Sequence, residues 1–183
     1  TSEEPVERAS LLAAMQYQEH ESGYSKQQST RPQTLAYALA DSPVGQMSWI
    51  IEKYAQWTDC EESGARHPEN AIQRDVLLDI VTHYWMTNTA GSSARLYWES
   101  FNQPDYRPIE APMGLSLFPK ELFLCSERLA RTRYQQLVMF NNAHQRGGHF
   151  APLEQPDAQR HMSCLSREPH ALLAVVAAPT AAR

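Results

Sequence analysis

Cysteine is scarce in this sequence, and long hydrophobic runs and a basic charge excess are missing. The three cysteines, Cys60, Cys125 and Cys164, stand far apart and outside any C-x-x-C pair. This spacing argues against a disulfide framework or a zinc site and fits a reducing cytoplasm. The longest apolar run, residues 171–178, is far shorter than the roughly 20 residues that span a bilayer. A net charge of −5 offers no basic surface for nucleic acid or anionic lipid.

The beginning of the chain also lacks the charged-then-apolar pattern of a secretion leader, so we expect a cytoplasmic protein. The sequence starts at Thr1 instead of a methionine and enters a helical pattern at once, which predicts a processed or truncated N-terminus. With 183 residues, of which 42% are hydrophobic and 20% charged, the chain resembles an ordinary globular protein. This length suffices for one domain or for parts of two.

Helical patterns fill the first hundred or so residues. A first helix is expected to end in a turn at Ser22 and Gly23. Thr30 and Gln33 have the spacing of a capping box ahead of the next helix. Ser42 is followed by a proline, which is the pattern of an N-cap residue before the first turn of a helix, so a third helix is predicted to begin here.

The second half of this helical region follows a polar stretch, residues 60–70, which is predicted to be a loop. Asp75 is a plausible cap for a helix whose apolar residues extend to Trp85. Gly91 and the two serines after it predict an interruption, followed by one more short helix over residues 94–101.

The pattern changes after residues 102–112, a link that contains prolines. Residues 113–118 and 137–140 are short apolar runs that predict buried strands, and residues 127–134 predict a helix between them. A strand–helix–strand unit implies a parallel pair. The predicted organisation is therefore a helical region 1–108, an α/β segment 109–158, and an atypical, alanine-rich tail 159–183 that is a candidate for disorder. Because two strands make no stable sheet, the remaining strands are expected from polypeptide outside this chain.

Two residues with acid–base chemistry follow the predicted strands. His149 lies in a glycine-flanked loop after the second strand, and Glu121 lies just past the first. The carboxyl ends of parallel strands are where α/β folds build their active sites. A carboxylate that accepts from one imidazole nitrogen leaves the other nitrogen free to act as a base. Taken singly, a surface histidine explains His149 about equally well, and a solvated glutamate that opens a helix explains Glu121 better.

Several motifs in order along the chain resemble the microsomal-type epoxide hydrolases, from about Met15 to Pro156. The segments that carry the resemblance are Ser22-Gly-Tyr24, residues 30–45 (TRPQTLAYALADSPVG), Tyr84-Trp85, residues 87–93 (TNTAGSS), Arg95-Leu-Tyr97, Phe118-Pro-x-Glu121 and residues 146–156 (RGGHFAPLEQP). The resemblance implies a fragment of an α/β-hydrolase: a mainly helical lid followed by the last strand–helix–strand segment of the core sheet.

The resemblance also implies roles for individual residues. His149 would be the general base and Glu121 its orienting acid, while Tyr24 and Tyr97 would be the lid phenols that hydrogen-bond the epoxide oxygen. The nucleophile would be an aspartate upstream of Thr1. The substrates would be a small-molecule epoxide and water, as in epoxide metabolism and detoxification, with no metal or cofactor, and the full-length parent could be a homodimer.

This sequence departs from the family pattern at two places: Pro152 replaces a usual alanine beside His149, and the tail after Asp157 lacks the amphipathic final helix. Trp85 and Trp98 are weaker candidates for lining a substrate pocket. His83 lies within a helical apolar pattern and is expected to be structural, and three other histidines do not have the spacing of metal ligands: His144, His161 and His170.

Two other kinds of function stay open at this point. A haloalkane dehalogenase or an esterase could use the same fold, although neither would require two lid tyrosines. Alternatively, the chain could be an inactive, truncated or degenerate product, or a non-catalytic interaction module, since no nucleophile is assigned within it.

Overall fold

The computed structural model describes residues 4–103, 105–158 and 172–174. The chain divides into two compact units. The sheet unit contains Thr1–Gln18, Trp57–Asp59 and Tyr106–Arg183, and the helical unit contains Glu19–Gln56 and Cys60–Asp105. The predicted boundary at residue 108 lies close to Tyr106, and the assignment of lid and core roles stays a prediction.

The helical region has six helices among the described residues, with a longer connection, residues 58–73, between the fourth and the fifth. They are α1 (Glu4–Gln16), α2 (Gly23–Thr30), α3 (Pro32–Asp41), α4 (Pro43–Trp57), α5 (Arg74–Thr87) and α6 (Ala90–Phe101). A π-helical turn, Tyr17–Glu21, follows α1, and a 3-10 turn, Pro68–Asn70, precedes α5. The predicted loop 60–70 also contains a small hairpin of β1 (Glu61–Glu62) and β2 (Ala65–Arg66).

Two helix starts test the predicted caps. The Ser42 hydroxyl accepts a hydrogen bond from Gly45 N at 3.0 Å, so the predicted cap of α4 is confirmed. The capping box at Thr30 is wrong, because Thr30 ends α2 and its hydroxyl donates to the carbonyl of Lys26. Arg31 occupies the N-cap of α3 with no side-chain hydrogen bond, and Pro32 begins the helix with a backbone that has no N–H to satisfy.

The helix around Gly91 also differs from the prediction. The helix α6 runs without a break from Ala90, and Gly91 lies inside its first turn. A Cβ on Gly91 would lie 3.0 Å from Ala36 Cβ, so the glycine allows α6 to approach α3 closely. The interruption between the two helices occurs earlier, at Asn88, which ends α5 in a left-handed conformation. Asp75 lies in the first turn of α5, and Gln73 occupies its N-cap.

The sheet of the sheet unit is parallel and has three strands in the order β4–β3–β5. β3 (Met113–Ser116) pairs with β4 (Leu137–Asn141), and α7 (Glu127–Arg133) connects them, as predicted. The third strand, β5 (Leu172–Ala174), pairs with the other edge of β3. It lies in the tail that received no predicted structure, and the other tail residues from 159 onward lie outside the described residues.

Buried apolar residues hold this strand–helix–strand unit together. Leu115 and Leu117, on and just after β3, pack with Ala130 and Tyr134, on and just after α7. Met113, Cys125 and Leu137 complete the cluster. All four residues of β3 are buried, as expected for the central strand of a parallel sheet.

Polar contacts join α1 to the start of α7. The Glu7 carboxylate accepts hydrogen bonds from the Ser126 hydroxyl at 2.7 Å and from Arg128 at 2.6 Å. Ser126 in turn caps α7 by accepting from Leu129 N. The hydrogen bond from Ser126, followed by that from Arg128, lowers the pKa of Glu7. Among the described helices, none combines the length and hydropathy that crossing a membrane requires.

Candidate active site

Glu121 and His149 come together at the carboxyl ends of β3 and β4. The chain segments after these strands continue side by side, because Lys120 N donates to Gly147 O at 3.0 Å and Lys120 forms a parallel bridge with Gly148. His149 Nδ1 lies 2.7 Å from Glu121 Oε1. An ionised carboxylate only accepts hydrogen bonds, so Nδ1 carries the proton and Nε2 is the basic nitrogen.

The Glu121 side chain is only 2% exposed, whereas that of His149 is 24% exposed. Leu122 N donates a second hydrogen bond to the same carboxylate oxygen at 2.8 Å. The acid is therefore buried and held in place by two donors, while the base reaches the surface of the sheet unit. This difference in burial suits a carboxylate that orients a histidine and a histidine that exchanges protons.

Aromatic rings pack around His149. Trp57 makes an edge contact with the imidazole, with ring centroids 5.4 Å apart, and Phe150 makes another at 5.2 Å. Trp57 and Phe150 stack on each other at 6.3 Å. These contacts fix the plane of the imidazole ring in addition to the hydrogen bond to Glu121.

His144, which was not predicted to have a role, makes polar and aromatic contacts near the end of β4. Its Nε2 is 2.6 Å from Ser116 Oγ and 3.2 Å from Asn141 Nδ2, and its ring stacks on Phe118 at 4.0 Å. Asn141 Oδ1 accepts from Ala143 N, so its amide nitrogen faces the imidazole. Burial lowers the pKa of His144 from the ordinary 6.5, which favours the neutral imidazole.

The two tyrosines implied by the resemblance lie together in the helical unit. Tyr24 on α2 and Tyr97 on α6 are half-buried, with ring centroids 5.7 Å apart in an edge-on arrangement. Phe101 packs against the other side of Tyr97 at 4.7 Å. The structure thus brings the two tyrosine rings into contact, and their role as phenol donors stays a prediction.

Tyr24 also lines a cleft of about 580 Å³ within the helical unit. Trp49 and Lys53 on α4 and Leu35 on α3 form other parts of its wall. The Lys53 ammonium lies 5.1 Å from the centre of the Tyr24 ring and is paired with Glu52 at 3.1 Å. Glu21, whose carboxylate is 3.7 Å from Lys53, also lines the cleft, so its polar side carries two carboxylates around one ammonium.

The tryptophans that were weaker candidates lie elsewhere in the same unit. Trp85 on α5 is half-buried, and Trp98 on α6 is 49% exposed. Neither lines the cleft beside Tyr24, whereas Trp49 does. Their role in a substrate pocket stays a prediction. Across residues 4–103, 105–158 and 172–174, no three His, Cys, Asp or Glu side chains gather in a metal-binding arrangement.

Sequence reasoning missed one residue of this region, Glu154. Glu154 is a buried residue, 8% exposed, and its carboxylate accepts hydrogen bonds from the backbone amides of Asp59, Gly148 and Phe150. Burial raises the pKa of Glu154 from 4.5, the amide bonds oppose that shift, and the nearby Asp59 charge adds to it. Glu154 lies within the RGGHFAPLEQP segment, but its partner Asp59 is 95 residues away, so no local pattern pointed to the contact.

The chain resembles proteins with curated names over most of its length. A putative epoxide hydrolase of Stigmatella aurantiaca is 45% identical over 158 residues, which are 86% of this chain and 35% of that protein. Epoxide hydrolase 1 of Sus scrofa is 37% identical over 148 residues, which are 75% of this chain and 32% of that protein. The chain thus spans about a third of the length of these relatives. No protein-family model matches it.

The structure of this chain is also similar to solved structures of epoxide hydrolases. The juvenile hormone epoxide hydrolase of the silkworm Bombyx mori superposes with a TM-score of 0.73 at 28% identity, covering 85% of this chain and 38% of that chain. The epoxide hydrolase of Aspergillus niger superposes with a TM-score of 0.69 at 29% identity, covering 88% of this chain and 38% of that chain.

Proposed function

Because this chain is homologous to a segment of epoxide hydrolases with the α/β-hydrolase fold, we propose that the full-length protein adds water to an epoxide to give a vicinal diol. The observation that carries the proposal is the pair of His149 and the buried Glu121, 2.7 Å apart at the ends of neighbouring parallel strands. This pair can activate water for ester hydrolysis.

In the first step, an aspartate supplied by polypeptide outside this chain attacks a ring carbon of the epoxide. A C–O bond forms to the carboxylate, the ring C–O bond breaks, and the ring oxygen takes a proton from the phenol of Tyr24 or Tyr97. A phenol has a pKa of about 10 and stays protonated at neutral pH, so it can stabilise the developing alkoxide.

In the second step, His149 Nε2 takes a proton from water, and the resulting hydroxide attacks the carbonyl carbon of the ester. The ester C–O bond breaks, and the leaving alkoxide takes the proton of the hydroxyl that added to the carbonyl carbon, so the diol leaves and the aspartate carboxylate is regenerated. Glu121 holds the imidazole in the tautomer that leaves Nε2 basic and stabilises the imidazolium that forms. The proton then returns from His149 to the medium, and the tyrosine is reprotonated.

The test is to trap the covalent intermediate in the full-length protein. His149→Gln should still be alkylated by an aryl epoxide, while hydrolysis of the ester should slow by a factor of about a hundred or more, the usual contribution of a general base. Mass spectrometry should therefore detect a stable adduct whose added mass is that of the intact epoxide. His83→Gln, at an exposed position on α5, is the matched control and should turn over like the parent.

The added mass also separates the proposal from its rivals on the same fold. A haloalkane dehalogenase would retain an alkyl group without its halide, and an esterase would retain an acyl group. An H149Q protein that forms diol at the parent rate would contradict the role of His149 as the base.

The cellular location and the partners are separate proposals. The sparse, scattered cysteines support a cytoplasmic protein, and a homodimer of the full-length protein stays a prediction from the resemblance. The charge of −5 supports a protein without a nucleic-acid partner.

A further inference from the structure

The loop that carries His149 is held by its backbone as well as by the contact of the histidine with Glu121. Four consecutive amides of this loop, residues 147–150, donate hydrogen bonds to side chains or carbonyls. Gly147 N donates to Asp59 Oδ2 at 3.0 Å, and His149 N donates to Trp57 O at 2.8 Å. The two remaining amides, those of Gly148 and Phe150, donate to Glu154.

Glu154 therefore contacts the backbone on both sides of His149. Its Oε2 accepts from Gly148 N at 2.9 Å and its Oε1 accepts from Phe150 N at 3.0 Å. Oε2 also accepts from Asp59 N at 2.7 Å. One carboxylate thus ties the histidine loop to the turn at Trp57–Asp59.

The packing at this point leaves little room for another arrangement. A Cβ on Gly148 would lie 2.5 Å from Trp57 O and 3.1 Å from Asp59 N. The close approach of the two backbones is what allows one carboxylate to reach three amides. Carboxylate hydrogen bonds to backbone N–H are charge-assisted and about twice as strong as neutral ones.

We propose that Glu154 is a positioning residue for the base, fixing the backbone on both sides of His149 so that Nε2 meets the water that attacks the ester. The proposal rests on the proposed function, and it assigns Glu154 to the hydrolysis step alone. Glu154 has no part in the attack on the epoxide, which needs the nucleophile and the tyrosines.

The two-step mechanism makes this role measurable. When hydrolysis of the ester is the slow step, reducing its rate lowers kcat and KM by the same factor, because kcat/KM reports only the alkylation step. A variant that merely loses folded protein has a lower kcat at an unchanged KM. Comparing the change in kcat with the change in KM therefore distinguishes a positioning role of Glu154 from a loss of folded protein.

The experiment uses Glu154→Gln in the full-length protein with an aryl epoxide. Glutamine keeps the shape, but its NH2 cannot accept from Phe150 or, in the other orientation, from Gly148 and Asp59. We expect kcat and KM to fall together by about a hundredfold, the effect of a misplacement of about 1 Å, and the ester to accumulate. Glu127→Gln, which changes an exposed glutamate paired with Arg131, should leave both constants unchanged.

Two further measurements keep the outcome interpretable. Amide hydrogen exchange of residues 147–150 should be faster in Glu154→Gln, and the ¹⁵N signals of the His149 ring should shift, both without substrate. A protein that makes no diol refutes the proposed function, yet these measurements still report whether Glu154 holds the loop. A lower kcat at unchanged KM, unchanged kinetics, or unchanged exchange in Glu154→Gln would overturn the positioning role.

Discussion

At the scale of single residues, the arrangement of Tyr24 and Tyr97 is the feature whose role is easiest to measure. Their rings are in contact on neighbouring helices of the helical unit, 5.7 Å apart. This proximity fits two donors that share one oxygen, as the proposed first step requires. It also fits two amphipathic residues that pack at a helix edge, so the roles have to be separated by kinetics.

We predict that Tyr24→Phe and Tyr97→Phe each slow alkylation in the full-length protein. Removing one such donor typically costs a factor of about a hundred to a thousand in rate. Because two phenols share the oxygen, each single variant should lose less than this factor in alkylation rate. The double variant should lose nearly all of its alkylation rate. Single-turnover alkylation by an aryl epoxide is the measurement. Normal alkylation by the double variant would refute the epoxide assignment and favour a halide or ester substrate.

His144 gives a prediction that depends on pH. Its pKa is lowered in the folded protein by burial, so the unfolded chain binds more protons near the ordinary histidine pKa of about 6.5. The stability it contributes is therefore present above this pH and is lost as the pH falls through the lowered pKa. The free energy of unfolding in urea should fall more between pH 8 and pH 5 for the parent protein than for His144→Gln. Glutamine keeps a hydrogen-bond acceptor at this position but does not titrate. Equal losses would contradict the neutral state assigned to His144.

At the scale of helices and strands, the beginning of α4 and the beginning of α3 form a matched pair. Both helices follow a hydroxyl residue and have a proline in the first turn, but only Ser42 accepts a bond from the helix it precedes. Thr30 belongs to the preceding helix and bonds backwards to Lys26. The sequences around Ser42 and Thr30 look similar. The two residues differ because Thr30 is the last residue of the preceding helix, whereas Ser42 caps the helix that follows it.

Accordingly, Ser42→Ala should lower the free energy of unfolding by about 1 kcal/mol, the usual cost of losing an N-cap. Thr30→Ala should have little effect, because alanine has the higher helix propensity and no capping bond is lost. Urea unfolding followed by circular dichroism compares the two variants with the parent. Equal destabilisation by both would mean that Thr30 is also a cap.

At the scale of the whole molecule, this chain spans about a third of the length of the relatives it matches. The proposed mechanism needs a carboxylate nucleophile in line with the ring carbon, and the resemblance assigns none within these residues. The base, its orienting acid and the two phenols are not sufficient for the covalent route.

The 183-residue chain alone is therefore expected to form no diol from an aryl epoxide. The measurement is to express this chain and the full-length protein separately and to compare the diol that each forms. The full-length protein should be active in the same assay, which controls for substrate and conditions. Turnover by the chain alone that His149→Ala abolishes would show that a residue within it serves as the nucleophile.

The sequence by itself determined the features that depend on near neighbours along the chain. Periodicity identified the helices, two short apolar runs identified β3 and β4, and strand ends together with the family motifs pointed to His149 and Glu121. The resemblance to epoxide hydrolases of the α/β-hydrolase fold came from the motifs that this sequence shares with that family. Helix and strand patterns express local backbone preferences and one-sided burial, which a single sequence records.

Only the tertiary structure decided the contacts between distant segments. Gly91 lies inside α6 where this helix packs closely on α3, and β5, a short part of the apolar run 171–178, pairs with the free edge of β3. Glu154 binds Gly148 and Phe150, which are close in the chain, but its contact with Asp59 joins residues 95 positions apart. The free energy of each of these features comes from a partner far away in the chain, and no local pattern identifies that partner.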